Sequence, residues 1–278
     1  MNCSFYIVLF CYRQRNGGLM KYHYLEVWYE KQIAFVRLDN AEQDNIFLPE
    51  LSQELLYVAN ELINQENIKV VVLGANGSHF SLGLTRAFLQ DDYGEESYSS
   101  IALASSAIEQ WSKIPYPVIV AINGDCGSLG VSLACVGDIR YASSDSTFFV
   151  PEIMWGLVPA GGVTQRLPKL IGKGPAMNML IGGDVMNAEE AMELGLINKK
   201  VDNALLWEKA CLQANLLAEM STLSMQYTKE CVLKGSELTF EQALRLELDV
   251  YMLLQTSEDR LEGVQAFLEK RSPQFKGR

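Results

Sequence analysis

Pro117-Val118-Ile119-Val120-Ala121-Ile122-Asn123-Gly124-Asp125-Cys126-Gly127-Ser128-Leu129-Gly130 is the stretch that decides the reading of this chain. Val118 to Ile122 is a continuous apolar run of the length expected for a strand buried on both faces. Pro115 and Pro117 stop a preceding helix from running into it. Gly124, Gly127 and Gly130 follow, and Val131 to Cys135 then opens a helix. A strand, a glycine-rich turn and a helix in that order leave backbone N–H groups free where the helix dipole favours negative charge. Glycine in the turn lets a ligand approach the backbone closely.

A similar arrangement lies upstream. Val70 to Leu73 is another apolar run, ended by the turn signal Gly74-Ala75-Asn76-Gly77 and followed by His79-Phe80-Ser81-Leu82-Gly83-Leu84-Thr85. One N–H from each loop, aimed at a single oxygen, would stabilise negative charge developing there. Ordinary strand-to-helix turns carry the same signature, so the loops alone leave both readings open.

Farther out, Leu25 to Tyr29 and Ile33 to Leu38 flank Glu30-Lys31 as a hairpin. Pro49 suits the first turn of a helix running to about Asn64. Ser99 to Trp111 reads as a helix, and Ile139 to Ala142 and Thr147 to Phe149 as short strands. Repeated strand, turn and helix indicates an α/β core. Beyond about residue 200 the segments Leu205 to Met220, Ser224 to Leu233, Thr239 to Leu254 and Ser257 to Lys270 all carry helical periodicity. The third is apolar on more than one face and so wants a partner surface.

The 278 residues are 49% hydrophobic, enough for a sizeable core, and carry a net charge of -11. Such a field repels a phosphate backbone, so no nucleic-acid partner is expected. Six cysteines without a CxxC pair and only two histidines, His23 and His79, suggest neither a zinc site nor a disulfide framework. Reduced cysteines in a cytoplasmic protein is the expectation. No apolar run reaches the roughly 20 residues needed to span a bilayer, and no membrane partner is expected. Residues 1–19 read as an extension outside the fold, with Arg13 and Arg15 after the run Phe5 to Phe10, where a signal peptide wants its basic residues before it. Met20 is the expected start of the folded part.

The resemblance that organises these pieces is to the enoyl-CoA hydratase/isomerase (crotonase) family. It is carried by Val71-Val72-Leu73-Gly74 through Gly83, by Pro117 to Gly124, and by Asp138-Ile139-Arg140-Tyr141-Ala142. Phe149-Val150-Pro151-Glu152, Gly156-Leu157-Val158-Pro159, and Gly161-Gly162-Val163-Thr164-Gln165-Arg166-Leu167-Pro168 follow in order. Gly172-Lys173-Gly174, the stretch Asn187 to Val201, and Phe267 to Arg271 with Pro273, Phe275 and Gly277 complete it. It runs from about Leu25 to Arg278. The resemblance implies an α/β fold, a crotonase-like spiral of repeated β-β-α units over 20–200. It also implies a C-terminal helical region over 201–278 that assembles trimers, often paired into hexamers.

By the same resemblance the substrate is an acyl-CoA thioester, with coenzyme A as part of the substrate and no tightly bound cofactor or metal. The oxyanion donors map to the N–H groups of Leu82 and Leu129, where the family usually has small residues. Of the two family glutamates, one position holds Ser132 and the other holds Glu152. Adding water across a double bond calls on one group to activate water and another to deliver a proton. A single carboxylate suffices to move a proton between carbons, so the pattern leans toward isomerisation. Asp125 is a candidate stand-in for the missing glutamate, Asp138 is read as structural, His79 as a surface residue, and Trp155 as shaping the acyl pocket or the core. Phe267 and Lys270 resemble positions that contact coenzyme A. Gln43 and Asp44 replace the usual basic loop, and Arg86 is a candidate to offset the lost charge. Three readings therefore stand: an acyl-CoA isomerase or altered hydratase, a catalytically silent thioester-binding or assembly member, and a decarboxylase of carrier-linked thioesters.

Overall fold

Every second residue of the apolar runs faces the same way, and both faces are covered, which is why the runs are continuous rather than alternating. In the computed structural model, which describes residues 22–85 and 95–278, six strands form one sheet. These are β1 (Leu25–Glu30), β2 (Ile33–Leu38), β3 (Val70–Ala75), β4 (Val118–Ile122), β6 (Ile139–Ser143) and β9 (Lys199–Val201), in the order β1-β2-β3-β4-β6-β9. The expected hairpin is the antiparallel β1–β2 pair, and all other pairs in this sheet are parallel. A second sheet joins β5 (Cys126–Gly127), β7 (Thr147–Phe149) and β8 (Met186–Asn187). The readings placed on residues 1–19, Met20 and Arg86 fall outside the described residues.

The helices α1 (Pro49–Asn64) and α2 (Glu95–Trp111) cover one face of the large sheet. Leu51, Leu55, Val58 and Leu62 of α1, with Ala107, Ile108 and Trp111 of α2, pack on Val36, Val71, Leu73, Val118 and Val120. The Trp111 indole donates to the Leu55 carbonyl at 3.0 Å, so the two helices are joined by a polar bond within the apolar layer. The opposite face, Phe35, Val70, Val72, Ile119 and Ala121, is covered by α7 (Asn203–Ala218) through Leu206, Ala210 and Ala214. Between these lie α3 (Leu129–Ala134), α4 (Val163–Ile171), α5 (Lys173–Met177) and α6 (Ala188–Glu193).

Three helices close the chain: α8 (Thr222–Gly235), α9 (Phe240–Leu254) and α10 (Glu258–Glu269). Neither α8 nor α9 has a buried residue. Asp259, buried in the first turn of α10, accepts from the Ser221 hydroxyl at 2.7 Å and from the Lys276 and Gly277 N–H groups at 2.7 and 3.1 Å. It therefore clamps the last residues onto the start of α8. Asp259→Ala leaves those donors without their acceptor, and urea titration is expected to show a loss of about 1–3 kcal/mol. Among the described residues no helix is long and apolar enough to cross a membrane.

Candidate active site

The two glycine-bearing loops meet main chain to main chain. Gly124 follows β4 with φ +63, and a Cβ there would stand 1.9 Å from the Ser78 carbonyl oxygen, so only glycine lets the loops touch. The Asp125 carbonyl accepts from the Phe80 and Ser81 N–H groups, and Gly127 N–H donates to the Ser81 carbonyl at 2.8 Å. A Cβ on Gly83, φ +69, would lie 2.5 Å from both the Gly127 oxygen and the Leu129 nitrogen.

This apposition brings the two expected donors into one neighbourhood. Leu129 is the first residue of α3, and its N–H has no hydrogen bond among the described residues. The residue is fully buried, with its side chain packed toward Gly161 and its nitrogen facing Gly83 of the first loop. Leu82 differs. Its N–H donates to the Asp44 carbonyl at 3.1 Å, so this donor is engaged by the neighbouring loop. Asp44 and Asn45 both have left-handed backbone, φ +52 and +50. The buried Asn45 side chain holds that turn by donating to the Asn76 and His79 carbonyls at 2.9 and 3.0 Å and accepting from Asn40 N–H at 2.8 Å.

Glu152 lies in a 3-10 turn, Pro151–Trp155, directly after β7, and is 2% exposed. One carboxyl oxygen, Oε1, accepts from the Ser128 hydroxyl at 2.5 Å. The other, Oε2, is buried with no hydrogen-bond partner among the described residues. Burial raises the carboxyl's pKa above the usual value, and the Ser128 hydroxyl pulls it partly back. Ser128 is not among the residues that the sequence singles out. It connects the second loop to Glu152, and nothing in Gly124-Asp125-Cys126-Gly127-Ser128-Leu129-Gly130 sets it apart from the other non-glycines there.

Ser132 is fully buried, and its hydroxyl donates to the Ala160 carbonyl at 2.8 Å. A hydroxyl committed in this way secures the loop before α4. The Asp125 carboxyl accepts from the Thr147 hydroxyl at 2.5 Å and stands 3.3 Å from His79 Nδ1, while His79 Nε2 lies 3.9 Å from Asp44. These contacts join Asp125 to His79 and Thr147. The Asp138 carboxylate accepts from Val118 N–H at 2.7 Å and from Lys229 Nζ at 2.6 Å, a strand-to-helix tie. Trp155 is half-buried against the main core. Phe267, 82% exposed, and Lys270, with φ +55, lie at the end of α10.

The site thus offers an uncommitted N–H at a helix start, a second N–H held by a loop carbonyl, and one desolvated carboxyl. The enoyl-CoA hydratase/isomerase family model matches residues 29–278. The 2,3-dehydroadipyl-CoA hydratase of Escherichia coli (strain K12) is 32% identical over 240 residues, 84% of this chain and 90% of that protein. The 1,2-epoxyphenylacetyl-CoA isomerase of the same strain is 31% identical over 256 residues, 90% of this chain and 97% of that protein. The crystal structure of enoyl-CoA hydratase from Bacillus anthracis superposes with a TM-score of 0.89 at 30% identity, covering 92% of this chain and all of that one. Sequence along nearly the whole chain and fold over the same length agree: this protein is an enzyme of the enoyl-CoA hydratase/isomerase family, with the crotonase fold.

Proposed function

We propose that this enzyme shifts the double bond of an enoyl-CoA thioester, with Glu152 as its single acid/base. The observation that carries the reading is the contrast between two buried groups. Glu152 has a carboxyl oxygen without a partner, whereas the Ser132 hydroxyl is committed to Ala160. The thioester oxygen would sit between the Leu129 and Leu82 N–H groups, the latter exchanging the Asp44 carbonyl for the substrate. Glu152 takes a proton from C2 of a 3-enoyl thioester, negative charge collects on the thioester oxygen, and the same proton is returned to C4. Glu152 ends as it began, and the double bond lies between C2 and C3. A carboxyl raised by burial suits both halves, because it takes and gives the proton with less mismatch.

Supplying purified protein with 3-enoyl-CoA and, separately, 2-enoyl-CoA tests this. Interconversion of the two faster than formation of 3-hydroxyacyl-CoA is expected. Hydration as the faster reaction would overturn the single-carboxylate reading.

One observation favours a second reading, a catalytically silent thioester-binding member: the Leu82 N–H is already bonded to Asp44. Calorimetry with a panel including carrier-linked malonyl thioesters distinguishes it, since that reading requires affinity without any product, decarboxylated or isomerised.

The exposed Leu244, Leu248, Tyr251 and Met252 of α9 form the apolar surface that the assembly reading needs. We infer a homotrimer, or two stacked as a hexamer, through the C-terminal helices, with Phe267 and Lys270 contributing to coenzyme A binding. Light scattering should give three or six times the 31.1 kDa chain mass. A monomer would leave that face unexplained.

A further inference from the structure

Resting on Glu152 as the acid/base, we propose that Ser128 is its positioning residue: the hydroxyl pins Oε1 and thereby leaves Oε2 as the oxygen that carries the proton. Three observations converge on Ser128. It is 1% exposed, and its hydroxyl is bonded on both sides, donating to Glu152 Oε1 at 2.5 Å and accepting from Leu84 N–H at 3.2 Å. Its backbone is at φ +52 and ψ -123, a conformation glycine adopts freely and serine does not. Its N–H donates to the Phe149 carbonyl at 2.9 Å, fixing it against the strand that leads into the Glu152 turn.

A strained serine in a loop otherwise supplied with glycines requires a gain elsewhere. Here the gain is a single hydroxyl joining three parts of the site. Leu84 belongs to the first oxyanion loop, Ser128 immediately precedes the Leu129 donor, and Glu152 is the carboxyl. The lone pairs of Ser128 Oγ receive Leu84 N–H, so its proton is directed at Glu152. The bond fixes the rotation of the carboxyl and also favours its ionised form, opposing burial.

The test compares Ser128→Ala and Ser128→Gly with the parent protein, using 3-enoyl-CoA, and includes Glu152→Gln. Both Ser128 variants lack the hydroxyl, but only glycine relaxes the backbone. Without the donor the carboxyl ionises less readily, so the acid limb of the kcat/KM profile should move to higher pH by about one unit in both. Infrared titration of the buried carboxyl, its band assigned by its disappearance in Glu152→Gln, should show the same displacement without substrate, so loss of turnover does not remove the readout. An unmoved carboxyl titration in both Ser128 variants, with Glu152→Gln inactive, overturns the positioning role and leaves the acid/base reading standing. Full turnover in Glu152→Gln overturns the acid/base reading, and the role of Ser128 with it.

Discussion

Glu152→Gln should reduce turnover of an enoyl-CoA substrate by at least about 100-fold, the usual contribution of a positioned general acid or base. Gln has nearly the same shape and can still accept from Ser128 at one oxygen, so the geometry persists while proton transfer is lost. The same substitution should change how stability depends on pH. Burial raises the carboxyl in the folded state, so folding favours the protonated form. Below the unfolded carboxylate value the group is protonated in both states and burial of charge costs nothing. As pH rises from there through the raised native value, the penalty grows, and above it the penalty is constant. Gln removes this charge penalty and adds a pH-independent cost for an amide NH2 where Oε2 has no partner, so the variant's stability relative to the parent should fall as the pH drops from 7 toward 4. Activity and urea titrations on the same preparations check both halves. Retained turnover would refute the role, and a stability difference from the parent that does not vary between pH 7 and pH 4 would refute the desolvation argument.

Gly83→Ala is the second large effect. Gly83 cannot step aside, because its N–H donates to the Ser81 hydroxyl at 3.0 Å and its carbonyl accepts from Phe47 N–H at 2.9 Å. The new methyl would face the Leu129 nitrogen and the Gly127 oxygen, both backbone atoms at 2.5 Å. Covering an oxyanion donor should cost about 10²–10³ in kcat. Overpacking should cost about 1–3 kcal/mol of stability in addition. Gly172→Ala is the control. It has φ +81 and nothing within 4 Å of a new Cβ, so it tests the backbone conformation alone. Turnover should persist in Gly172→Ala and collapse in Gly83→Ala. Equal turnover in the two would remove the Leu129 N–H from the mechanism.

The large sheet was legible because both of its faces are buried, which turns β3 and β4 into uninterrupted apolar runs. The longer helices were legible through their apolar period, with boundaries off by a few residues: α2 spans Glu95–Trp111, where periodicity marked only Ser99 to Trp111. The short α4, α5 and α6, of five to nine residues, were not read as helices. The strands β5, β8 and β9 are two or three residues long, too short for any period to register. The site divides along a similar line. Glu152 was legible through its surrounding motif. The engagement of Leu82 was not, since a main-chain bond to Asp44 leaves no trace in side-chain identity. Ser132 was legible as a departure, but that its hydroxyl is taken by Ala160 depends on a loop fold that no local pattern specifies. Ser128 was hidden because a left-handed serine is chosen by its tertiary partners and not by its neighbours in sequence.

The contact of the two loops through backbone atoms has a consequence for how this enzyme tolerates change. A donor that belongs to the main chain is not encoded by any particular codon, and only proline deletes it. Leucine at 82 and 129 therefore keeps the backbone N–H of each position, and what restrains position 129 is packing, since its side chain is fully buried. The contact rests instead on Gly83, Gly124 and Gly130, whose missing side chains keep the backbones in touch. Mutational tolerance is thus distributed against intuition: a new side chain at 82 or 129 keeps the N–H group, while any side chain at the three glycines drives the loops apart.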